Sequence, residues 1–343
     1  MIILSPSFKT IRALAMGGLV FAVATFAAAQ SYVPHAVEMP KGASYVLPDG
    51  SIYLVGNDGM EDLLNKWNDL FAKTHPGFKF TMLLKGSSTG IGGLTAGVSA
   101  IGPMGREAWP TDVAGFREQF GYEPFDIHVG WGGYTRPKHK NPPAIYVNAK
   151  NPLAGLTVAQ VARTFTRGSP GGDVTHWGQL GLKGAWAQRA IHLYGPRDEG
   201  GLATSIRTAF MGKRPFQPGY EGLPKLADVI AAVAADPFGI GLVGFFDSTD
   251  VPEVRIVPLA EKSPSLALPT EANVSAGLYP LTPNLHLYVN RAPGQPLDPF
   301  VKEYLRLVLS VEGQVLIAAE KDGDEGYLPL DARAAAQELA RLE

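Results

Sequence analysis

The 343-residue chain reads as an α/β protein, and two observations with a length carry that reading. From residue 51 onward short β-rich runs alternate with amphipathic helical stretches, the plan of sheets flanked by helices, with largely parallel strands expected. The run Gly86-Ser87-Ser88-Thr89-Gly90 joins an alternating apolar stretch to a glycine-punctuated helical one, so strand, tight turn and helix N-terminus follow in order. Without its first thirty residues the chain keeps about 310, enough for one large or two medium domains with a sizeable core.

The N-terminus predicts the compartment. Lys9 and Arg12 precede an apolar run over 13–29, and Ala27-Ala28-Ala29 supplies the small-residue pattern of a secretory cleavage site. The mature chain is expected to start near Gln30 or Ser31, which makes the protein periplasmic or secreted. A membrane anchor is the alternative, although the run falls slightly short of the ~20 apolar residues that span a bilayer. No later segment is apolar enough to span, so no membrane insertion is expected after cleavage. The absence of cysteine excludes both a disulfide framework and a lipid-bearing cysteine. With 30 basic and 32 acidic residues there is no excess charge for nucleic acid or a polybasic membrane patch, so a ligand needs a local site.

Taken in order, residues 51–55 read as a strand, Gly56-Asn57-Asp58-Gly59 as a turn, and 60–74 as a helix. In that helix Leu63, Leu64, Trp67, Leu70 and Phe71 recur at helical spacing. A strand over 78–84 then meets the glycine-serine turn, and a helix is expected from near Ile91. Residues 127–131 and 144–148 read as strands around Arg136-Pro-Lys-His-Lys140, a basic turn most simply solvated, with docking as the minor alternative. After Asn151-Pro152 a second block begins: helix 158–165, the turn His176-Trp177-Gly178, strand 190–194, helix 202–210 and a strand near 241–245. A further strand over 285–289 precedes helices over 299–309 and 312–320 and an Ala-rich helical tail after Asp331.

The turn at 86–90 has three readings. It gathers free backbone N–H groups, hydroxyls and the positive end of a helix dipole, which suits an anion. It also satisfies G-x-S-x-G, the nucleophile elbow of α/β-hydrolases, with Ser88 as nucleophile and Asp247 and His286 following in the order such a triad takes. Nothing resembling an HGGG oxyanion motif accompanies it. The third reading is a small-residue turn with no ligand. The seven histidines show no close metal spacing, and His176 beside Trp177 reads as a structural turn; neither metal nor cofactor is expected.

Several stretches together resemble the phosphate-binding, periplasmic solute-binding proteins of ABC importers, over nearly the whole mature chain. They are 86–97 (GSSTGIGGLTAG), 148–165 (NAKNPLAGLTVAQVARTF), Thr175-His176-Trp177, Arg197-Asp198-Glu199-Gly200-Gly201, 239–243 (GIGLV) and 285–290 (LHLYVN). Each is weak alone; their order and spacing are specific. The resemblance implies a two-lobed periplasmic-binding-protein fold of two mixed sheets flanked by helices, joined by a two-crossing hinge that closes on an oxyanion. It implies crossings near 146–151 and 278–285, hence lobe 1 from 31–147 plus 282–343 and lobe 2 from 148–281. It implies a monomer that is not an enzyme, holding phosphate or a related oxyanion and meeting an ABC permease. A sensing protein with another anionic ligand or a protein partner is the alternative.

A desolvated oxyanion needs many hydrogen bonds and some charge compensation, and the family supplies them from four loops. The first matches 56–59, where Asn57 offers an amide in place of the hydroxyl residue common in relatives and Asp58 has to point away; a plain turn is equally open. The second offers Ser87, Ser88 and Thr89 as hydroxyl donors. The third, 100–106, ends in Gly105-Arg106 where relatives carry an acid or a Ser-Arg pair; Arg106 is a ligand contact or a surface ion pair. The fourth keeps Arg197, but Gly200-Gly201-Leu202 stand where relatives read Ser-Gly-Thr, so backbone amides replace hydroxyls. With no acid in the third loop, discrimination between phosphate and sulfate is expected to be poor unless Asp58, Glu107 or Asp198 substitutes.

Overall fold

The computed structural model describes residues 30–136, 139, 141–244, 251–262 and 265–343. The expected signal segment, Asp247 and most of the basic turn after Arg136 lie outside the described residues. The chain opens with β1 (Ile52–Gly56), α1 (Glu61–Thr74), β2 (Phe80–Leu84), α2 (Ser88–Thr95), β3 (Gly102–Met104), α3 (Pro110–Phe120) and β4 (Phe125–Trp131). Then follow β5 (Ala144–Asn148), β6 (Leu156–Thr157), α4 (Val158–Phe165), β7 (His192–Pro196), α5 (Gly201–Phe210) and β8 (Tyr220–Leu223). After these come α6 (Leu226–Ala235), β9 (Gly239–Val243), β10 (Val254–Ile256), β11 (Leu259–Ala260) and α7 (Glu271–Ser275). The last elements are β12 (Asn284–Val289), α8 (Pro299–Leu309), α9 (Val311–Ala318), β13 (Leu328–Pro329) and α10 (Ala332–Ala340).

Local chemistry places several of these boundaries. Thr157 caps α4 by accepting from the Gln160 amide while Gln160 reaches back to the Thr157 N–H, a reciprocal pair that satisfies two orphan donors. Asp298 caps α8 ahead of Pro299, whose fixed φ suits the first helical turn. Leu63, Leu64, Trp67 and Phe71 of the α1 stripe are buried as their spacing predicts and Leu70 partly so, and Trp67 adds a tie by donating its indole N–H to Gly313 O at 3.1 Å.

Two sheets, each with its own core, make two lobes. One is ordered β13-β4-β12-β3 with the β1-β2 pair beside β3; the other is β10-β5-β9-β7-β8, with the small β11-β6 pair near it. The first core gathers Trp67, Phe71, Phe300 and Tyr304, and the second Phe165, Trp177, Leu193 and Ile240. Strands are mixed rather than largely parallel: β12 runs antiparallel to β3 and β4, and β5 antiparallel to β9 and β10. The reason is connectivity, since β12 enters the first sheet from the end through which β4 leaves it.

The first passage between the sheets also differs from expectation. Residues 144–147, assigned from sequence to the first lobe with a crossing near 146–151, pair together with Asn148 to β9 and β10 inside the second sheet. All five are buried, as a strand covered on both faces must be, so the chain passes between sheets before Ala144. The return passage precedes β12. The two run side by side, with the Gly132 N–H donating to Pro283 O at 2.6 Å.

Glycines bring α2 against the strands beneath it. A Cβ at Gly93 would stand 2.8 Å from Val55 Cβ, one at Gly102 would stand 2.8 Å from Gly90 O, and one at Gly56 would collide with Pro103 O. The last two clashes are with backbone, which cannot rotate aside. Gly102→Ala is therefore expected to lower stability by about 1–3 kcal/mol through overpacking, read as a fall in the denaturant midpoint at unchanged slope; an unchanged midpoint would show that α2 can shift freely.

Candidate functional site

The three loops at the ends of β1, β2 and β3 converge on one atom. Ser87 Oγ accepts from Asn57 Nδ2 at 2.6 Å and from the Gly105 N–H at 3.0 Å. A hydroxyl oxygen has two lone pairs and one proton, so both lone pairs are used and only the proton remains. Ser87 therefore requires an acceptor. Around it the Ser87 and Ser88 amides at the start of α2 carry no hydrogen bond among the described residues, because α2 begins there and no preceding turn supplies carbonyl partners.

The neighbouring serine and threonine behave differently from expectation. Thr89 Oγ1 donates to Gly86 O at 2.8 Å and Gly56 O at 3.2 Å, so its proton is committed to the turn. Ser88 is exposed and lines neither cavity beside Ser87. Helical residues step about 100° apart, so Ser87 at the cap faces inward while Ser88 faces outward. Gly86, at φ 103°, holds the left-handed conformation that this tight entry needs.

Ser87 lies in the wall of a cavity of about 430 Å³ between the lobes. Arg106, Glu107 and Trp109 form the first-lobe wall, one face of α5 including Leu202 and Ser205 forms the other, and Thr282 and Pro283 of the return passage with Asn284 at the start of β12 close it off. Arg106 reaches the cavity, but its charge is already matched: it donates to Asp112 at 2.6 and 3.4 Å and lies 3.6 Å over the Trp109 ring. Asp112 also accepts from the Trp109 amide at the start of α3. Arg106 is thus both an ion pair and a cavity residue, the two options its sequence left open.

The fourth loop stands back. The Arg197 side chain is exposed, makes no hydrogen bond or ion pair among the described residues, and lies outside both cavity walls, while its carbonyl accepts from the Gly200 N–H at 2.9 Å. Gly200 is the N-cap of α5 and Gly201 its first residue, so the first amides of that helix are unpaired by hydrogen bonds within it. Asp198 is held by Arg207 at 2.7 Å. Of the three acids weighed as proton acceptors, only the exposed Glu107 lines the Ser87 cavity.

A second cavity of about 590 Å³ shares Asn57, Gly105 and Pro283 with the first. Asp58 faces this one, away from Ser87, together with Glu325, Tyr327 and Asn141. Burial first, then the charges of Glu325, Glu320 and Asp58, push the Tyr327 phenol well above its ordinary range, so it stays neutral and donates to Gly59 O at 3.0 Å. Sequence reasoning missed Asn141 and Thr282 on the passages between the lobes and Asn284 at the start of β12, which hold buried polar atoms without partners. Their only signal was proximity to Gly132-Gly133 and to Pro283. The basic turn is also corrected at its first residue: Arg136 is buried, donating to Lys321 O and Gly323 O at 2.7 and 2.9 Å.

The hydrolase constellation does not assemble among the described residues. His286 is buried on β12 with Nδ1 2.8 Å from Asp126 Oδ1, and no hydrogen bond joins it to Ser88. No helix among the described residues is long and apolar enough to cross a membrane.

Known proteins resemble this chain in both sequence and fold. A family profile described as a PBP superfamily domain matches residues 47–312. The phosphate-binding protein PstS of Pseudomonas aeruginosa is 31% identical over 331 residues, 95% of this chain and 98% of its own length. Among solved structures, PstS from Borrelia burgdorferi matches with a TM-score of 0.57 at 18% identity, covering 82% of this chain and 99% of its own. An ABC-type phosphate transport receptor from Vibrio cholerae matches at 0.52 and 19% identity, covering 81% and 99%.

Removing the Ser87 hydroxyl leaves two part-buried donors without an acceptor. Ser87→Ala is expected to cost about 1–2 kcal/mol of stability, against within about 0.5 kcal/mol for Ser88→Ala. Parallel urea titrations of the two variants check this, and equal effects would mean that the Ser87 contacts carry no weight.

Proposed function

Since the chain belongs to the PBP superfamily and, through its likeness to PstS over nearly its full length, to the phosphate-binding proteins within it, we propose that it captures phosphate between its lobes for an ABC importer. The Ser87 proton carries this reading: with both lone pairs filled from Asn57 and Gly105, the one bond left at the centre of the site is to an acceptor. The unpaired amides at the start of α2 reinforce the preference for an anion. The exported location and the pairing with a permease are part of the same proposal, supported by the N-terminal pattern and the family.

We place the lobe boundaries at the two passages, 132–143 and 276–283, with residues 284–343 returning to the first lobe. On this division the first lobe presents a prepared half-site, and closure brings the α5 N-terminus with Arg197, Gly200 and Gly201 across the cleft. Arg197 then supplies the uncompensated positive charge, because Arg106 is matched by Asp112. A binding role without catalysis fits the separation of Ser88 from His286.

Calorimetry with phosphate tests the reading, and an absence of binding would overturn it. Arg197→Ala is expected to weaken phosphate by at least tenfold, about 1.4 kcal/mol; an unaffected variant would remove the second lobe's charge from the site. Selectivity follows from the acids. Phosphate at neutral pH still carries a proton that a carboxylate can accept, and sulfate does not. Of Asp58, Glu107 and Asp198 only the exposed Glu107 lines the Ser87 cavity, so preference for phosphate over sulfate is expected to stay below about a hundredfold, 2.7 kcal/mol. Glu107→Gln should remove what preference there is, and competition titrations with both anions read both outcomes.

A further inference from the structure

The loop that carries Arg197 is anchored on both sides of that residue by one column of stacked side chains. Phe216 and Tyr220 stack with ring centroids 3.8 Å apart and planes 8° from parallel, and the Arg207 guanidinium lies 5.2 Å from the Phe216 centroid. From this column Tyr220 donates its phenol proton to Pro196 O at 2.5 Å, immediately before Arg197, and Arg207 pairs with Asp198 at 2.7 Å, immediately after it. Burial first, then the Asp198 charge, pushes the Tyr220 phenol well above its ordinary range, so it stays neutral and keeps that proton to give. Beneath the loop, a Cβ at Gly222 would stand 3.1 Å from Arg197 Cα. The Arg197 backbone is thus held before, after and below, while its side chain is exposed.

The ion pair also settles where a negative charge goes. Asp198 lies between Arg197 and the first amides of α5 in the chain, so an unmatched carboxylate there would oppose the same anion that Arg197 and those amides attract. Arg207 matches it from outside the cleft. Ser205, Ile206 and Thr208 of α5 line the Ser87 cavity and Arg207 does not. Among the described residues, the only other hydrogen bond of its side chain is a long one to Arg214 O, 3.5 Å.

We propose that Arg207 is a positioning residue for phosphate: it holds the Asp198 carboxylate away from the anion and, with the Phe216–Tyr220 stack, fixes the loop from which Arg197 reaches the cleft. This rests on phosphate binding between the lobes and adds a residue that acts without touching the ligand. Glu199, the other acid of the loop, is unchanged in every variant below and cancels from the comparison.

A double-mutant cycle read by calorimetry with phosphate on the mature chain tests the role. Arg207→Met keeps an apolar stem against Phe216 and removes the charge; it is expected to weaken phosphate about tenfold. In an Asp198→Asn background the same substitution is expected to cost about twofold or less, since no carboxylate is left to release. Arg207→Gln gives a second reading of the cycle, and thermal melts show that each variant is folded. Equal losses in the two backgrounds would mean that Arg207 serves packing alone. That result, or phosphate binding unaffected by both Arg207 substitutions, overturns the proposal and leaves the phosphate reading standing. Wild-type protein that binds no phosphate overturns both.

Discussion

The oxygen of Ser87 is the point on which the site depends. It joins the loop after β2 to Asn57 and Gly105 in the loops after β1 and β3, 30 and 18 residues from it in sequence, and it does so by accepting, which commits its proton outward. A serine placed there by sequence alone could donate or accept in any direction. The two bonds from Asn57 and Gly105 remove that freedom and convert a versatile hydroxyl into a fixed donor. Preorganisation of this kind means that the ligand does not bear the cost of ordering the loop.

That geometry in turn depends on close packing of backbone. Helix α2 can lie against β1 and β3 only because Gly90, Gly93 and Gly102 present no side chains at the contact. The same closeness lets the Gly105 amide reach Ser87. Glycine-rich turns are often read as flexible, but here the glycines hold elements closer than any other residue permits. Charge is organised with similar economy. Arg106, stacked on Trp109 and paired with Asp112, gives shape and hydrogen-bonding capacity with little net charge, whereas Arg197 waits exposed on the opposite lobe. A lobe already carrying strong positive charge would gain less from closure than one that receives it from across the cleft.

Much of this was legible in the sequence because it was local. The amphipathic stripe of α1, the capped start of α4 and the strand–turn–helix at Gly86 follow from spacing and residue type within a short window. The resemblance in loop order then supplied the two-lobed plan. What the sequence hid was long-range. Whether residues 144–148 belong to the first or second sheet depends on partners a hundred residues away, and an all-buried strand looks alike in either. The distinction between Ser87 and Ser88 turns on where the helix begins, within the uncertainty of any boundary drawn from sequence. Asn141, Thr282 and Asn284 carry no motif at all; they come together because two passages of chain run side by side between the sheets.

The first and fourth loops form a consistent pattern. In the fourth loop Gly200, Gly201 and Leu202 bring no side-chain hydroxyl, which leaves backbone amides as the donors to a bare tetrahedral oxyanion. In the first loop Asp58 faces a neighbouring cavity where Glu325 joins it. Fewer side-chain donors on one side weaken the fit to an ion wrapped symmetrically in hydrogen bonds, and the Asp58 carboxylate near the other penalises further negative charge. Either change alone would merely lower affinity for phosphate. Specificity is set by the difference between two binding free energies rather than by the strength of one, so these two loops bear on which oxyanion is preferred more than on whether one is bound.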